Sequence, residues 1–202
     1  MTNGANATRR LIVGISGASG VIYGIRLLEL LQEADLETHL VMSRSAEVTV
    51  AHETSKKISE IKELADICHR NDDIAASIAS GSFRTSGMII VPCSIRSLSE
   101  IVSGVTSTLL TRAADVVLKE RRKLVLMVRE TPLHLGHLRS MAAAAEMGAV
   151  VSPPVPAFYA KPKSIEEMID HTLGRALDQF DIDVKVVRRW KDGDAQVRTD
   201  DP

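Results

Sequence analysis

Residues 11–20 of the chain read LIVGISGASG, an apolar run that passes directly into a turn rich in glycine and serine. An amphipathic run, YGIRLLELLQ, follows at residues 23–32. This order predicts a strand, a tight turn and a helix, with backbone N–H groups and the positive helix end facing a common point. In an open α/β sheet, ligands collect at the carboxyl ends of the strands. The turn therefore predicts a site for a phosphorylated ligand.

The composition of the 202-residue chain is typical of one globular domain, with 45% apolar and 25% charged residues. Its formal net charge of −1 argues against nucleic-acid binding, which needs a strongly basic face. No apolar run reaches the ~18 residues of a membrane span, and the first ten residues lack the apolar core of a signal peptide. Cys68 and Cys93 are too few for a disulfide framework. We therefore expect a cytoplasmic protein with no nucleic-acid or membrane partner.

Apolar strand-like runs alternate with helix-like segments along almost the whole chain. Continuous apolar strands indicate a parallel sheet covered on both faces, and their alternation with helices indicates right-handed βαβ units. We predict a single α/β domain at residues 10–190, with a flavodoxin/Rossmann-like, three-layer, doubly wound and mostly parallel sheet. The ends, 1–9 and 191–202, are expected to be flexible. The expected strands are 11–16, 37–43, 88–94, 123–128 and 149–154, the expected first and last helices 23–34 and 164–180, and the expected long loop 71–87.

The glycine spacing of the first turn differs from several familiar nucleotide motifs. Gly14, Gly17 and Gly20 lie three apart, unlike the dinucleotide G-x-G-x-x-G pattern, and no Gly-Lys-Ser/Thr sequence of a Walker A loop follows. Ser43 and Arg44 follow the second strand, where an NAD site would carry an acidic residue for the ribose diol. This disfavours NAD and leaves NADP or a mononucleotide such as FMN open. The same glycines would also suit a tight turn without a ligand.

A second serine-rich segment, SGSFRTSGMIIVPCSIRSLSEI at residues 80–101, repeats this construction. Ser94 follows the predicted buried strand, and Arg96 and Ser97 open the next helix, so this strand end offers a second anion-binding turn. Ser94 and Ser97 would equally serve as caps of that helix. Two such turns on one sheet can hold two phosphates, or the phosphate and the ring of one cofactor.

Charged residues and prolines mark two further segments. Arg112 and Lys119 lie seven residues apart and therefore on one face of a predicted helix, which is also typical of a solvated helix face. Arg129 and Glu130 end a predicted strand, where a charge pair can bind and protonate a phosphate leaving group.

Prolines hold the segment 154–162 extended, so that this loop can cover a neighbour's site.

Together these segments resemble the UbiX-type flavin prenyltransferase family. The resemblance spans residue 10 to about 190 and rests on GISGASG, ETHLVMS, SGSF, PCSIRSLS, RAADVVLKERR, LVLMVRET and PPVPAFY, in that order. It implies a transferase that joins C1 of the dimethylallyl group of dimethylallyl monophosphate to N5 of reduced FMN and closes a fourth ring onto C6. It also implies a homododecamer with sites at subunit interfaces, and a UbiD-type decarboxylase that receives the prenylated FMN. No metal is implied, and the chain carries no D-D-x-x-D motif.

The resemblance also implies roles for individual residues. The positions that match FMN-binding residues are Gly17, Ala18, Ser19, Ser43, Ser94, Ile95, Arg96, Ser97 and Arg129. The positions that match the prenyl-phosphate site are Ser80, Gly81, Arg112, Lys119, Glu130, Tyr159 and Arg175, with Tyr159 and Arg175 delivered from an adjacent subunit. Ser19, Glu53, Lys119 and Glu130 are the implied catalytic residues. Trp190 matches an aromatic side chain beside the prenyl group, where it would stabilise an allylic cation.

Three other functions are weighed against this one. A flavin-dependent decarboxylase of the cysteine type uses a histidine base and an asparagine-containing loop, whereas the loop here reads ASGSF. A non-catalytic FMN carrier would need neither Glu53 nor Lys119. An NADP-linked reductase is compatible with the residues after the second strand. The chain also departs from family members that carry tryptophan where Ile74 stands, which leaves more of the aromatic contact to Trp190.

Overall fold

The computed structural model describes residues 9–187 and 189, and its centre is a sheet of six parallel strands. The order of the strands across the sheet is β3-β2-β1-β4-β5-β6. The strands are β1 (Arg10–Ile15), β2 (Glu37–Met42), β3 (Ile67–His69), β4 (Gly87–Cys93), β5 (Lys123–Val128) and β6 (Val150–Val151). The helices are α1 (Val21–Leu31), α2 (Arg44–Glu53), α3 (Ile58–Lys62), α4 (Ile95–Val102), α5 (Leu109–Lys119), α6 (Leu135–Glu146) and α7 (Ile165–Leu177).

Two apolar cores lie on opposite faces of the sheet. Successive strand residues point to opposite faces, so Leu11 and Val13 pack with α1, α2 and α7, whereas Ile12 packs with α4, α5 and α6. All seven residues of the central strand β4 are buried, as a strand covered on both faces requires. The predicted three-layer, doubly wound architecture is confirmed.

The edges of the sheet differ from the sequence prediction. Residues 67–69 form β3, a strand that is not among the expected ones, because the Asp66 carboxylate accepts hydrogen bonds from the Thr38 amide (2.7 Å) and hydroxyl (2.8 Å) and so aligns the chain with β2. The expected strand 149–154 is only two residues long, since Pro153 and Pro154 cannot donate to a sheet. The expected flexible ends are 1–9 and 191–202, of which residues 1–8 and 191–202 lie outside the described residues.

The strand order reverses between β1 and β4. β1 leads into α1 on one face of the sheet, whereas β4 leads into α4 on the opposite face. Doubly wound sheets bind ligands in the crevice outside the carboxyl ends of the two strands at such a point. The two serine-rich turns follow these two strands, so the topology places both at one crevice. None of the helices within the described part of the chain is long and apolar enough to cross a membrane.

Candidate active site

A cleft of about 640 Å³ opens at the carboxyl edge of the sheet, where β1, β2, β4 and β5 end. It brings together residues that the sequence singled out in four separate segments: Gly17, Ser43, Ser94, Ile95, Arg96, Ser97 and Glu130. The N-terminal end of α5 forms a further wall through Thr108 and Thr111. The volume and the mixture of polar and apolar walls suit a small cofactor.

Two helices, α2 and α4, begin at this cleft with a serine cap. The Ser43 hydroxyl accepts a hydrogen bond from the Ala46 amide (3.1 Å), and the Ser94 hydroxyl accepts one from the Ser97 amide (3.2 Å). The capping interpretation of Ser94 is therefore confirmed. The first two amides of each helix, those of Arg44 and Ser45 in α2 and of Ile95 and Arg96 in α4, have no hydrogen-bond partner within residues 9–187 and 189. Amides of this kind, at the positive end of the helix, provide an anion site.

The N-terminal end of α1 is different, because a carboxylate already occupies it. Glu53 ends α2, and its Oε2 accepts hydrogen bonds from the amides of Gly20 (2.8 Å) and Val21 (3.1 Å). The prediction that these amides of the first turn face a phosphate is wrong. Their partner comes from a helix that ends more than thirty residues later in the chain, as the separation of 33 residues between Gly20 and Glu53 shows.

The surroundings of Glu53 fix its protonation state. Partial burial raises the pKa of Glu53, but hydrogen bonds from the Ser19 hydroxyl and the two α1 amides, together with the positive charge of Arg129, outweigh the burial. The pKa of Glu53 therefore lies below its ordinary value, and the side chain is a carboxylate at neutral pH. The Ser19 hydroxyl lies at the side of this carboxylate.

The ionised cap predicts a pH-dependent stability. Because the pKa of Glu53 is lower in the folded state than its unfolded value of about 4.3, the stabilisation is fully present above that value and is lost as the pH falls through the folded pKa. We expect Glu53→Ala to lower the free energy of unfolding by roughly 0.5–2 kcal/mol at neutral pH. Urea unfolding at pH 7 and at about pH 3 should show this difference shrinking in acid. A difference of equal size at both pH values would contradict an ionised cap.

A second group of sequence-predicted residues lies around the loop 80–83, beside α5. The Arg122 guanidinium donates to the carbonyls of Gly81 (2.6 Å) and Phe83 (2.7 Å) and holds this loop in place. A Cβ on Gly81 would meet the Glu120 carboxylate and would lie 2.8 Å from the Lys119 Nζ atom. Lys119 itself pairs with Glu120 at 2.6 Å. The structure thus brings Lys119 to the Ser80-Gly81 turn.

Arg112 approaches the same loop from one helical face, as its spacing from Lys119 predicts. Its Nε donates to the Ala79 carbonyl (3.3 Å), and its Nη1 pairs with Asp115 (2.7 Å). Thr111 lines the cleft, whereas Lys119 lies eight residues further along α5, a distance of roughly 12 Å along the helix axis. Within one chain, this loop cluster is therefore separate from the cleft.

The remaining predicted residues occupy a third place, the loop before α7 and α7 itself. The half-exposed Tyr159 packs edge-to-face against His171, with its hydroxyl 3.5 Å from the ring Nε2. Arg175 pairs with Asp178 at 2.6 Å. Since α7 covers the face of the sheet opposite α5, this group lies apart from Lys119. Trp190 lies outside the described residues.

Asn71 is a cleft residue that sequence reasoning missed. Its carbonyl and its Oδ1 accept hydrogen bonds from Leu109 (2.8 Å) and Leu110 (3.0 Å), so it caps α5 and fixes one wall of the cleft. The sequence places Asn71 only at the start of a long loop, and the helix that it caps begins far downstream. Within the described residues, no group of three or more His, Cys, Asp and Glu side chains is placed to hold a metal ion.

The first turn approaches α2 so closely at Gly17 that adding a single methyl group there should disturb the cleft. A Cβ on Gly17 would collide with the Ser45 Cβ atom and would lie 3.0 Å from the Ser45 carbonyl carbon. We expect Gly17→Ala to displace the start of α2 and to weaken ligand binding in the cleft at least tenfold. Fluorescence titration with FMN would measure this loss. The double variant G17A/S45G, which removes the nearest clashing atom, the Ser45 Cβ, should recover part of the affinity. Equal FMN affinities for wild type and both variants would contradict the expected clash.

Comparison with known proteins identifies the class that fits this fold and cleft. The family model named Flavoprotein matches residues 2–189, almost the whole chain. The flavin prenyltransferase UbiX of Escherichia coli K12 is 61% identical over 91% of this chain and 98% of its own length. The chain therefore belongs to the UbiX flavin prenyltransferase family, as the sequence motifs predicted.

Solved structures agree with this assignment. A crystal structure of AnUbiX, described as a complex with FMN and dimethylallyl pyrophosphate, matches with a TM-score of 0.89 and 51% identity over 91% of this chain and 97% of that one. A structure from Escherichia coli O157:H7, described as a dodecameric FMN-dependent UbiX-like decarboxylase, matches with a TM-score of 0.88 and 47% identity over 90% and 99% of the two chains.

Proposed function

We propose that the chain joins the dimethylallyl group of dimethylallyl monophosphate to N5 and C6 of reduced FMN, without a metal. The observation that carries this proposal is the cleft at the strand-order reversal, where two serine-capped helices offer unpaired amides. The ionised Glu53 is bound to the far end of the first turn, whose Gly17 lines this cleft. Helix amides suit the phosphate of a mononucleotide. An adjacent carboxylate suits a reaction that releases a proton from the flavin ring.

FMN is bound, in this proposal, between the first turn and the start of α4. The first turn contributes Gly17, Ala18 and Ser19, the ends of β2 and β5 contribute Ser43 and Arg129, and the start of α4 contributes Ser94, Ile95, Arg96 and Ser97. Reduced FMN supplies the electron-rich N5 and C6 atoms. Glu53, oriented by the amides of Gly20 and Val21, would accept the proton that leaves C6 when the second new bond, a carbon–carbon bond from the prenyl group to C6, closes the ring.

The prenyl phosphate needs positive charge and proton donors, because the C1–O bond breaks with its electron pair on the phosphate. Lys119 and Arg112 at the Ser80-Gly81 turn offer such charge, as do Arg175 and Tyr159 on the opposite face, and Glu130 lies in the cleft itself. One chain holds these groups in three separate places. We therefore infer that the site is completed by neighbouring subunits.

A homododecamer is the proposed assembly, in keeping with the description of the Escherichia coli O157:H7 relative as dodecameric. A site buried between subunits would also exclude water from the prenyl cation. Trp190 is proposed to lie beside the prenyl group, where its ring would stabilise positive charge. The proposed location is the cytoplasm, and the proposed recipient of the product is a UbiD-type decarboxylase.

Decarboxylation is the second candidate function, because the same relative is described as a decarboxylase. The loop at residues 79–83, ASGSF, has none of the asparagine that the cysteine-type decarboxylases use. An FMN carrier is disfavoured because passive binding would need none of Glu53, Lys119, Glu130 and Tyr159.

Absorption spectroscopy distinguishes these functions. The protein is reduced anaerobically with FMN and then mixed with dimethylallyl monophosphate, with dimethylallyl pyrophosphate, or with a cysteine-ended peptide. A prenyltransferase changes the flavin spectrum with the dimethylallyl donor, and we expect the monophosphate to act faster than the pyrophosphate. A spectrum unaffected by either donor would contradict the proposal, and consumption of the peptide would favour decarboxylation.

A further inference from the structure

Ser16 is a fully buried hydroxyl residue between β1 and the first turn, and none of the roles above uses it. Its Oγ donates a hydrogen bond to the Pro92 carbonyl (2.9 Å) and accepts one from the Ser94 amide (2.7 Å). Its own amide also donates to the Pro92 carbonyl (3.2 Å). One side chain therefore ties the end of β1 to the link between β4 and α4, across the point where the strand order reverses.

This link determines how the start of α4 faces the cleft. The Ser94 amide precedes the helix, and Ser16 satisfies it, so the chain is anchored one residue before the free amides begin. The Ser94 hydroxyl donates its proton to the Ser97 Oγ (3.1 Å) and accepts from the Ser97 amide (3.2 Å), which leaves it one acceptor lone pair. The donors left for a ligand are the amides of Ile95 and Arg96 and the hydroxyl proton of Ser97.

We propose that Ser16 is a positioning residue for FMN, which fixes the separation between the first turn and the N-terminal end of α4. The proposal rests on the proposed binding of FMN in this cleft. Without the Ser16 hydroxyl, the Pro92 carbonyl loses one donor and the Ser94 amide loses its acceptor, and both are in a buried link. The start of α4 can then move relative to Gly17, and the two sides of the cleft no longer match one ligand.

The chain offers a matched control for a purely structural effect. Thr38 is also buried, and its hydroxyl also makes one donated and one accepted hydrogen bond, to the Asp66 carboxylate (2.8 Å) and from the Asp66 amide (2.9 Å). This pair joins the start of β2 to the residue before β3, away from the cleft. Thr38→Val thus removes an equivalent buried hydroxyl without touching the start of α4.

The test compares FMN affinity, thermal stability and turnover in Ser16→Ala, Ser16→Cys and Thr38→Val. We expect Ser16→Ala and Thr38→Val to lower the melting temperature by similar amounts, whereas only Ser16→Ala raises the FMN dissociation constant, by tenfold or more. At saturating FMN, the turnover of Ser16→Ala should stay within about threefold of wild type, because the residue acts on binding. Ser16→Cys keeps the side-chain shape with weaker hydrogen bonds, so it should fold and show an intermediate loss of affinity.

FMN dissociation constants of both Ser16 variants within twofold of wild type would overturn the proposal and leave Ser16 with a structural role alone. An equal loss of FMN affinity in Thr38→Val would overturn it as well, since general destabilisation would then explain the effect. The wild-type titration separates this failure from that of the proposed function. Wild-type protein that bound no FMN would overturn both, whereas wild-type binding with unaffected variants would overturn the role of Ser16 only.

Discussion

Replacing Glu53 by glutamine is expected to leave FMN bound and to slow formation of the final ring by about a hundredfold or more, the usual contribution of a general base. The glutamine oxygen still accepts the hydrogen bonds of the Gly20 and Val21 amides, so α1 keeps its cap. What is lost is the negative charge that accepts the proton from C6. Rapid mixing with dimethylallyl monophosphate, followed by the flavin spectrum, measures the ring-closing step.

Glu60→Gln is the matched control for this variant. Glu60 also caps a helix, since its Oε2 accepts from the Lys57 amide at 2.6 Å, but that helix is its own helix α3 and not the one that follows the first turn. This control should keep the wild-type rate. Unchanged ring closure in Glu53→Gln would remove Glu53 from the mechanism, and an equal loss in Glu60→Gln would show that capping, rather than proton transfer, limits the rate.

Replacing Lys119 by methionine is expected to lower kcat/KM for the prenyl donor by about a hundredfold or more, because the positive charge that would stabilise the leaving phosphate is lost. FMN affinity should stay within twofold of wild type, since Lys119 lies two helical turns beyond the cleft wall of its own chain. Lys62→Met is a suitable control: Lys62 is a half-buried lysine in an ion pair of 3.1 Å with Glu47. Steady-state assays with varied donor and saturating FMN measure both parameters.

Mixed oligomers test whether neighbouring chains share the site. If Glu53 and Lys119 of one site come from different chains, random mixing of Glu53→Gln with Lys119→Met chains restores both residues in roughly a quarter of the sites. We expect the mixture, unfolded and refolded together, to recover activity that neither variant has alone. A mixture as inactive as its components would place both residues of each site in one chain.

The architecture could be predicted from the sequence because continuous apolar strands and helical segments alternate in a simple order. The sequence also placed Ser43, Ser94 and Glu130 at one edge, since the ends of parallel strands meet there. Strand β3 was missed because its three residues carry too little periodicity, and the contact that fixes it joins Asp66 to the distant Thr38. Short edge elements of this kind depend on tertiary contacts rather than on local pattern.

The detailed chemistry of the cleft could not be predicted for a similar reason. The first turn alone indicates unpaired amides, and only the packing of α2 against α1 reveals that Glu53 occupies them. The spacing of Arg112 and Lys119 predicts that both lie on one face of α5. How far Lys119 lies from the cleft depends on the direction in which α5 crosses the sheet, which the spacing does not give. Ser16 carries no sequence signal, because its partners on Pro92 and Ser94 are backbone groups 76 and 78 residues away.

The most direct test of the account is mass spectrometry of the flavin that is released after anaerobic incubation of the wild-type protein with reduced FMN and dimethylallyl monophosphate. No metal is added, and parallel samples contain Glu53→Gln or omit the donor. We expect the wild-type protein to release, only in the presence of the donor, a flavin heavier than FMN by one five-carbon prenyl unit. The flavin formed by Glu53→Gln should not acquire the absorption spectrum of the ring-closed product. Unmodified FMN from the wild-type sample, with the protein folded and FMN bound, would contradict it.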